Sequence, residues 1–278
     1  MKNSIWIAGA AGQLGTEIVK RLKANTENRV VATDINDVDI SDSASVDKAA
    51  DIYRPTVIIN CASISNIAYC EENMVEAYKV NALGARNLAN ASRKHNAKII
   101  QLSTDDVFAC DTASPMTEYD TPNPVTVYGK SKLAGENYVR ELNPKHLVVR
   151  SSWVYGAGDK HFFAYVEEMA KKGEAFTVPS WKVSSPTNSN TLADLICALV
   201  DKSEYGIIHA SSEGSCTRLE FARAILEGLG LDTAMAVEEV SPDGKIRATL
   251  LENLMLKMTG IYEMPDWRED LKNYIASR

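Results

Sequence analysis

The chain reads as an α/β protein, a doubly wound parallel sheet with a small C-terminal cap, and three observations predict this. Short β-branched runs alternate with helical patterns as far as Arg150. A glycine-rich turn joins the first such run to the first helical pattern. Beyond Arg150 the alternation gives way to loop-rich, proline-broken sequence.

The strands are expected in "SIWIAG", "RVVATD", "TVIINCA", "AKIIQLST" and "HLVVRSS". Leu14, Ile18 and Leu22 recur at helical spacing after the first strand, as do Ala77, Ala85, Leu88 and Ala89 before the fourth. Strand–helix alternation of this kind means a parallel sheet covered on both faces. "GAGDKHFF" and "VPSWKVSSPTNSN" read as loops, with Pro179 and Pro186 breaking regularity. A helix over 190–201, a strand in "GIIHAS", a helix around "RLEFARAILEGLG" and a last helix from "PDWREDLKNYI" complete the chain. Residues 1–155 are expected to form the dinucleotide-binding domain, with 187–208 packing back onto it, and 156–186 and 209–278 to form the substrate-binding cap.

Of the 278 residues, 45% are hydrophobic and 24% charged, which suits a globular chain with a substantial core. A net charge of −7, with no basic stripe, argues against nucleic acid as a partner. No apolar run approaches the length of a membrane span, and "SIWIAGAAG" is too short and too glycine-rich for a signal peptide. Cys61, Cys70, Cys110, Cys197 and Cys216 make no metal or CxxC spacing and read as reduced thiols of a cytoplasmic protein. None of the four histidines has a ligand at metal spacing, so no metal is expected. A homodimer is allowed, although nothing in the sequence specifies the oligomeric state.

Gly9, Gly12 and Gly15 in "GAAGQLG" follow the first strand and open a helix. Glycines also collect in ordinary turns, but this context turns backbone N–H groups and a helix N-terminus toward a pyrophosphate. Asp34 lies 19 residues after Gly15, at the end of the second strand, where a carboxylate can take the ribose hydroxyls. It would repel a 2′-phosphate, so NADH should serve at least as well as NADPH.

In "TVYGKSKLAGENYV", Tyr128 and Lys132 stand one helical turn apart. A solvated helix start is the plain reading. With the glycine loop present, an acid–base tyrosine is the better one, and the GxxGxxG and Tyr-x-x-x-Lys patterns resemble the extended short-chain dehydrogenase/reductase group. A free phenol is only about 0.1% ionised at pH 7. The Lys132 ammonium, together with a nicotinamide ribose, is expected to favour the phenolate and help pass the proton. Ser103 and Thr104 end the fourth strand, where they can either steady a carbonyl oxygen or cap the next turn.

Together "GAAGQLG", "DVDISD", "VNALGARNLA", "LSTDDVF", "VYGKSKLAGE" and "VRSSWVYG" resemble the dTDP-4-dehydrorhamnose reductase family over residues 1–156. The resemblance implies a Rossmann domain and NAD(P)H-dependent reduction of a 4-keto group on a nucleotide-activated deoxysugar. It also implies Thr104, Tyr128 and Lys132 as the catalytic trio. Gly9, Gly12, Gln13, Leu14, Gly15, Asp39, Ile40, Cys61, Ala62 and Ser63 fall in stretches that wrap the cofactor NAD(H) or NADP(H), beside Asp34, Tyr128 and Lys132.

Departures lie on the substrate side. Asp106 replaces the tyrosine of "STDYVF", Ala68 an aspartate, and Trp181 and Lys182 the Asp-Gln of "DQxGxPT", while the late Arg-Pro motif is missing. Trp153 matches the family tryptophan, whose flat face suits a sugar or base ring. Ser103, Asp106, Trp153, Lys182 and Arg247 are the candidate substrate residues, with Lys245 as a further cation. Three alternatives stay open. One is a sugar-nucleotide epimerase or dehydratase, another a reductase of a non-nucleotide ketone. The third is a non-catalytic NAD(P)-binding regulatory subunit, because the family also resembles the β-subunit of methionine adenosyltransferase.

Overall fold

The computed structural model describes residues 3–25, 27–109, 114–158 and 161–278. The chain opens with β1 (Ser4–Ala8), α1 (Gln13–Ala24), β2 (Arg29–Thr33), α2 (Ser43–Tyr53) and β3 (Val57–Asn60). Helices α3 (Ile67–Glu72), α4 (Met74–Tyr78) and α5 (Ala85–Lys94) lead to β4 (Lys98–Thr104). Then come α6 (Val127–Leu142), β5 (His146–Ser151), β6 (Val154–Tyr155), α7 (Phe162–Lys172), β7 (Phe176–Pro179), β8 (Lys182–Ser184) and β9 (Thr187–Asn188). The chain closes with α8 (Ser189–Val200), β10 (Gly206–His209), β11 (Cys216–Thr217), α9 (Arg218–Gly228), β12 (Ala236–Glu239), β13 (Arg247–Ala248), α10 (Leu254–Thr259) and α11 (Trp267–Ala276). No helix among the described residues is long and apolar enough to cross a membrane.

Two compact units result, one from Met1–Ala109, Thr121–Arg150 and Ala193–Ile208, the other from Cys110–Asp120, Ser151–Leu192 and His209–Arg278. In the first, six strands run in the order β10-β5-β4-β3-β1-β2. The pairs β1–β2, β1–β3 and β3–β4 are parallel, with Ile5 opposite both Val30 and Val57. Chain order reverses between β1 and β3, the switch point at which ligands bind in such sheets. Ile5, Trp6 and Ile7 of β1 and Ile58 and Ile59 of β3 are fully buried, as central strands covered on both faces must be. Trp6, Val46, Ala50, Leu88, Ile99 and Val139 join strands to α2, α5 and α6 in one core.

The five N-terminal strands and the four C-terminal elements fall where the sequence places them. Between α4 and α5 the helical pattern is interrupted by a π-helical turn, Lys79–Gly84, that carries the buried Asn81. A single π-helical turn is too short to set up a hydrophobic period of its own in the sequence.

The second unit has its own core, in which Tyr155, Phe163, Phe221, Trp267 and Tyr274 are buried against one another. Its sheets are small: β11-β8-β13, β12-β7 and β6-β9. The stretch "VPSWKVSSPTNSN" is therefore not only loop, since it holds the end of β7 and all of β8 and β9. Strands of two or three residues are too short to show a period of two. In "GAGDKHFF" the helix α7 already begins at Phe162, capped by the His161 side chain, while Asp159 and Lys160 lie outside the described residues. Cys61, Cys70, Cys197 and Cys216 are free thiols, and Cys110 is likewise outside the described residues.

Candidate active site

At the switch point Gly9 has φ +74°. A Cβ there would come within 2.5 Å of the Ala62 nitrogen, so only glycine lets the loop pass this close to the end of β3. Gly12 caps α1 without a side chain, leaving the helix N-terminus clear for an anion. The Gln13 Nε2 beside it is buried without a hydrogen-bond partner. Asp34 ties the second strand to this loop, since its Oδ2 accepts the Ala11 N–H at 3.0 Å and its Oδ1 the Ile35 N–H at 2.8 Å. A tight backbone turn, an open helix end and an orphaned amide fit a dinucleotide, and Gly9, Gly12, Gln13, Leu14, Gly15 and Asp34 are the residues that would hold it.

The other cofactor candidates are spread more widely. Cys61 and Ala62 are half-buried beside Gly9, and Ser63 is exposed. Asp39 is exposed and accepts the Ser41 N–H at 2.8 Å, a local turn bond. Ile40 is 5% exposed, with its side chain in the hydrophobic core and its carbonyl accepting from Asn87.

Helix α6 brings the acid–base pair to the carboxyl end of β4. Thr126 starts it by accepting the Gly129 N–H at 3.0 Å, and Glu71 takes the Val127 N–H at 2.8 Å. A Cβ on Gly129 would collide with the Asp106 carbonyl, so glycine is what allows α6 to start against the turn after β4. Tyr128 is half-buried there, hydrogen-bonded to Thr104. Thr104 also caps the short turn Asp105–Val107, accepting the Asp106 N–H at 3.2 Å and donating to Asp105 Oδ1 at 3.1 Å. Beside it the Ser103 hydroxyl is buried without a hydrogen-bond partner.

Lys132 is 4% exposed and donates to the Leu102 carbonyl at 2.7 Å. Burial brings its ammonium down to about 8, against the opposing charges of Glu136 and Cys61. Burial also pushes the Cys61 thiol up to about 12. The Tyr128 phenol is pushed above its ordinary value, first by burial and then by the Asp106 charge, with the Thr104 hydrogen bond pulling the other way. Lys132 gives one of its three donors to a backbone carbonyl, and burial together with the Asp106 and Asp105 charges favours the protonated phenol of Tyr128.

Three further residues support this arrangement and were not singled out in the sequence. Asn81, 2% exposed, donates to the Ile64 carbonyl at 2.9 Å and to the Ser131 hydroxyl at 3.0 Å, and accepts the Ile64 N–H at 2.8 Å. It pins α6 to the segment after β3. Glu136 and Arg150 form an ion pair at 2.7 Å with side-chain exposures of 0% and 1%. An arginine inside the apolar run "HLVVRSS" was the available signal, because a charge in a buried strand needs a partner.

The second unit holds the remaining candidates. Trp153 adopts φ +40°, which is rare for a large side chain, and the Arg218 guanidinium lies 3.4 Å from its ring centre and 4.7 Å from that of Phe162. Lys182 and Arg247 are register partners on β8 and β13. Both flank the Trp181 ring, at 5.1 and 4.9 Å, and the Trp181 Nε1 is buried without a partner. Asp243 binds Arg247 at 2.9 Å and is held near 2, chiefly by the Ser241 hydroxyl. Lys245 contributes its backbone N–H to the same turn.

A nucleotide-type glycine turn at the switch point and a tyrosine–lysine pair on the helix beside β4 make this an extended-type short-chain dehydrogenase/reductase. Within that class the chain belongs to the family described as the RmlD substrate binding domain, whose model matches residues 1–278. It is 32% identical to the spore coat polysaccharide biosynthesis protein SpsK of Bacillus subtilis (strain 168), over 99% of this chain and 97% of that one. Among solved structures, a dTDP-4-dehydrorhamnose reductase from Clostridium acetobutylicum ATCC 824 is 37% identical, with 98% of both chains covered and a TM-score of 0.91. The dTDP-4-dehydrorhamnose reductase of Bacillus anthracis str. Ames, solved in complex with NADP, is 33% identical, covers 100% of this chain and 99% of its own, and has a TM-score of 0.95.

Proposed function

We propose that this chain is an NAD(P)H-dependent reductase of a dTDP-activated 4-keto-6-deoxy sugar, turning the 4-keto group into a 4-hydroxyl. The reading rests on full-length relatives named dTDP-4-dehydrorhamnose reductase and on one observation in the site: Tyr128 bonded to Thr104, one helical turn from a buried Lys132. NAD(P)H supplies, when bound, the hydride that reduces the carbonyl carbon. Tyr128 gives its proton to the carbonyl oxygen, for which the neutral phenol is the required form. Thr104 steadies that oxygen as charge develops on it, and Ser103 offers a second hydroxyl. Lys132 holds the cofactor ribose and returns the proton to Tyr128. Gly9, Gly12, Gln13, Leu14, Gly15, Asp34, Asp39, Ile40, Cys61, Ala62 and Ser63 form or support the dinucleotide site.

On the substrate side, Asp106 accepts from sugar hydroxyls and Trp153 offers a ring face. Lys182 and Arg247 meet the diphosphate, since a buried diphosphate needs cations. The enzyme works in the cytoplasm, either as a monomer or as a homodimer. The test is NADH and NADPH oxidation with dTDP-4-dehydrorhamnose, dTDP-4-keto-6-deoxyglucose and simple ketones. Turnover of a dTDP-sugar alone is the expected result. Turnover of simple ketones alone, or tightly bound NAD retained through an epimerisation, would replace this reading.

A further inference from the structure

A fully buried ion pair, Glu136–Arg150, begins one helical turn beyond Lys132. Arg150 Nε donates to Glu136 Oε1 at 3.0 Å and its terminal nitrogen to Oε2 at 2.7 Å, a two-pronged grip that fixes the carboxylate plane. The Arg150 guanidinium also lies 5.2 Å from the Phe108 ring centre. Burying such a pair is a poor way to gain stability, because well-packed apolar residues of similar volume usually do as well or better. Its location suggests another use. Glu136 follows Lys132 by four residues on α6, so both side chains leave the same face of the helix.

We infer that Glu136, clamped by Arg150, is a positioning residue for Lys132, keeping its buried ammonium charged and aimed at the carboxyl end of β4. The inference rests on the proposed roles of Tyr128 and Lys132. The groups around Lys132 come from every neighbouring element. They are Glu136 and Tyr128 on α6, Cys61 after β3, the Leu102 carbonyl on β4, and Arg150 on β5 behind Glu136. Asp105 and Asp106, in the turn after β4, act on Tyr128. Among these, Glu136 is the largest influence opposing the burial that drives Lys132 toward its neutral form, and Cys61 comes second. Arg150 prevents the carboxylate from turning away. A neutral Lys132 could neither hand a proton to Tyr128 nor hold its charge-assisted bonds.

The test is the pH profile of kcat, measured with thermal midpoints and cofactor affinity, for Glu136→Gln, Glu136→Asp and the double variant Glu136→Met/Arg150→Met. Glu136→Gln differs from the native chain by one group and still accepts from Arg150, so it is the variant most suited to fold. The alkaline limb of kcat should move down by about one pH unit in Glu136→Gln, about tenfold less turnover beyond the new midpoint. Glu136→Asp keeps the charge and should keep most of the native limb. The double variant should regain the thermal midpoint yet retain the shifted limb, a split that a purely structural role would not produce. Glu136→Gln with lowered stability and an unmoved limb would overturn the inference, as would a double variant that restores both. Lys132→Met serves as the control. If that variant still turns over, the reading of Lys132 itself fails. If it is inactive while the Glu136→Gln limb stays put, only the inference about Glu136 fails.

Discussion

The two compact units treat charge in opposite ways. In the first, the ionisable groups near the proposed chemistry are taken out of water: Lys132 and Asp105 are at most 6% exposed, and Glu136 and Arg150 at most 1%. In the second, the candidate cations lie across aromatic faces, Arg218 on Trp153, and Lys182 and Arg247 on Trp181. Lys182 is exposed to solvent. Buried charge is expensive, but it is fixed and strongly felt, which suits moving one proton at one atom. Charge stacked on aromatic rings is weaker and adjustable, which suits recognising an anionic ligand. The difference suggests that reactivity is set in the first unit and selectivity in the second, and that the two tolerate sequence change unequally.

Substitutions can break or sharpen that contrast. The largest effect is expected from Tyr128→Phe, which removes the proton donor and should lower kcat by ~10²–10⁴ while leaving cofactor affinity unchanged. Steady-state rates with calorimetric cofactor binding check it, and near-normal reduction by the Phe variant would remove Tyr128 from its role.

Lys132→Met comes next, because it separates chemistry from stability. Lys132 titrates near 8 when folded and near 10.5 when unfolded, so between these values the unfolded chain binds more protons. Its contribution to stability therefore rises with pH across that window. Denaturant melts should show Lys132→Met more stable than the native chain below pH 8, by up to about 3 kcal/mol. That advantage should close toward pH 10.5. An advantage that does not change with pH would mean that the native lysine is not buried in its charged form.

In the second unit, Lys182→Ala and Arg247→Ala should each weaken dTDP-sugar binding by roughly 1–3 kcal/mol, more at low salt, with KM rising and kcat kept. Calorimetry with the NADH-loaded enzyme reads this directly. Loss of kcat without any change in KM would erase the division of labour between the units.

The smallest effect is expected at Asp34. Its carboxylate already takes two backbone N–H groups, so Asp34→Ala should raise the KM for NADH by about fivefold, the worth of one hydrogen bond near 1 kcal/mol, and raise that for NADPH less. A strong native preference for NADPH, with NADH affinity unchanged in the variant, would show that the Asp34 carboxylate serves the loop alone.

Much of the first unit was legible in the sequence because its demands are local. A buried parallel strand must be continuously apolar, as "SIWIAG" and "TVIINCA" are, and a turn passing within contact of β3 must have glycine at position 9. The tyrosine–lysine spacing likewise follows from one helical turn. What escaped was set by partners distant in sequence. The Tyr128 phenol is raised first by burial and then by Asp106, 22 residues earlier. The Glu136–Arg150 pair joins a helix to the following strand. In the second unit, β8 and β13 gain meaning only when 65 residues of chain bring Arg247 beside Lys182.

Proton delivery by Tyr128, with the second unit only selecting the ligand, is the division of labour most open to experiment. Deuterium transfer tests it most directly, with NAD(P)H labelled at the hydride position, a dTDP-4-keto-6-deoxy sugar, and mass spectrometry of the product after a single turnover. The native chain and Lys182→Ala, each saturated with sugar, should give product labelled at C4 at similar rates, and Tyr128→Phe, fully loaded with cofactor, essentially none. Labelled product from Tyr128→Phe at the native rate, or its loss from Lys182→Ala at saturation, would contradict the account.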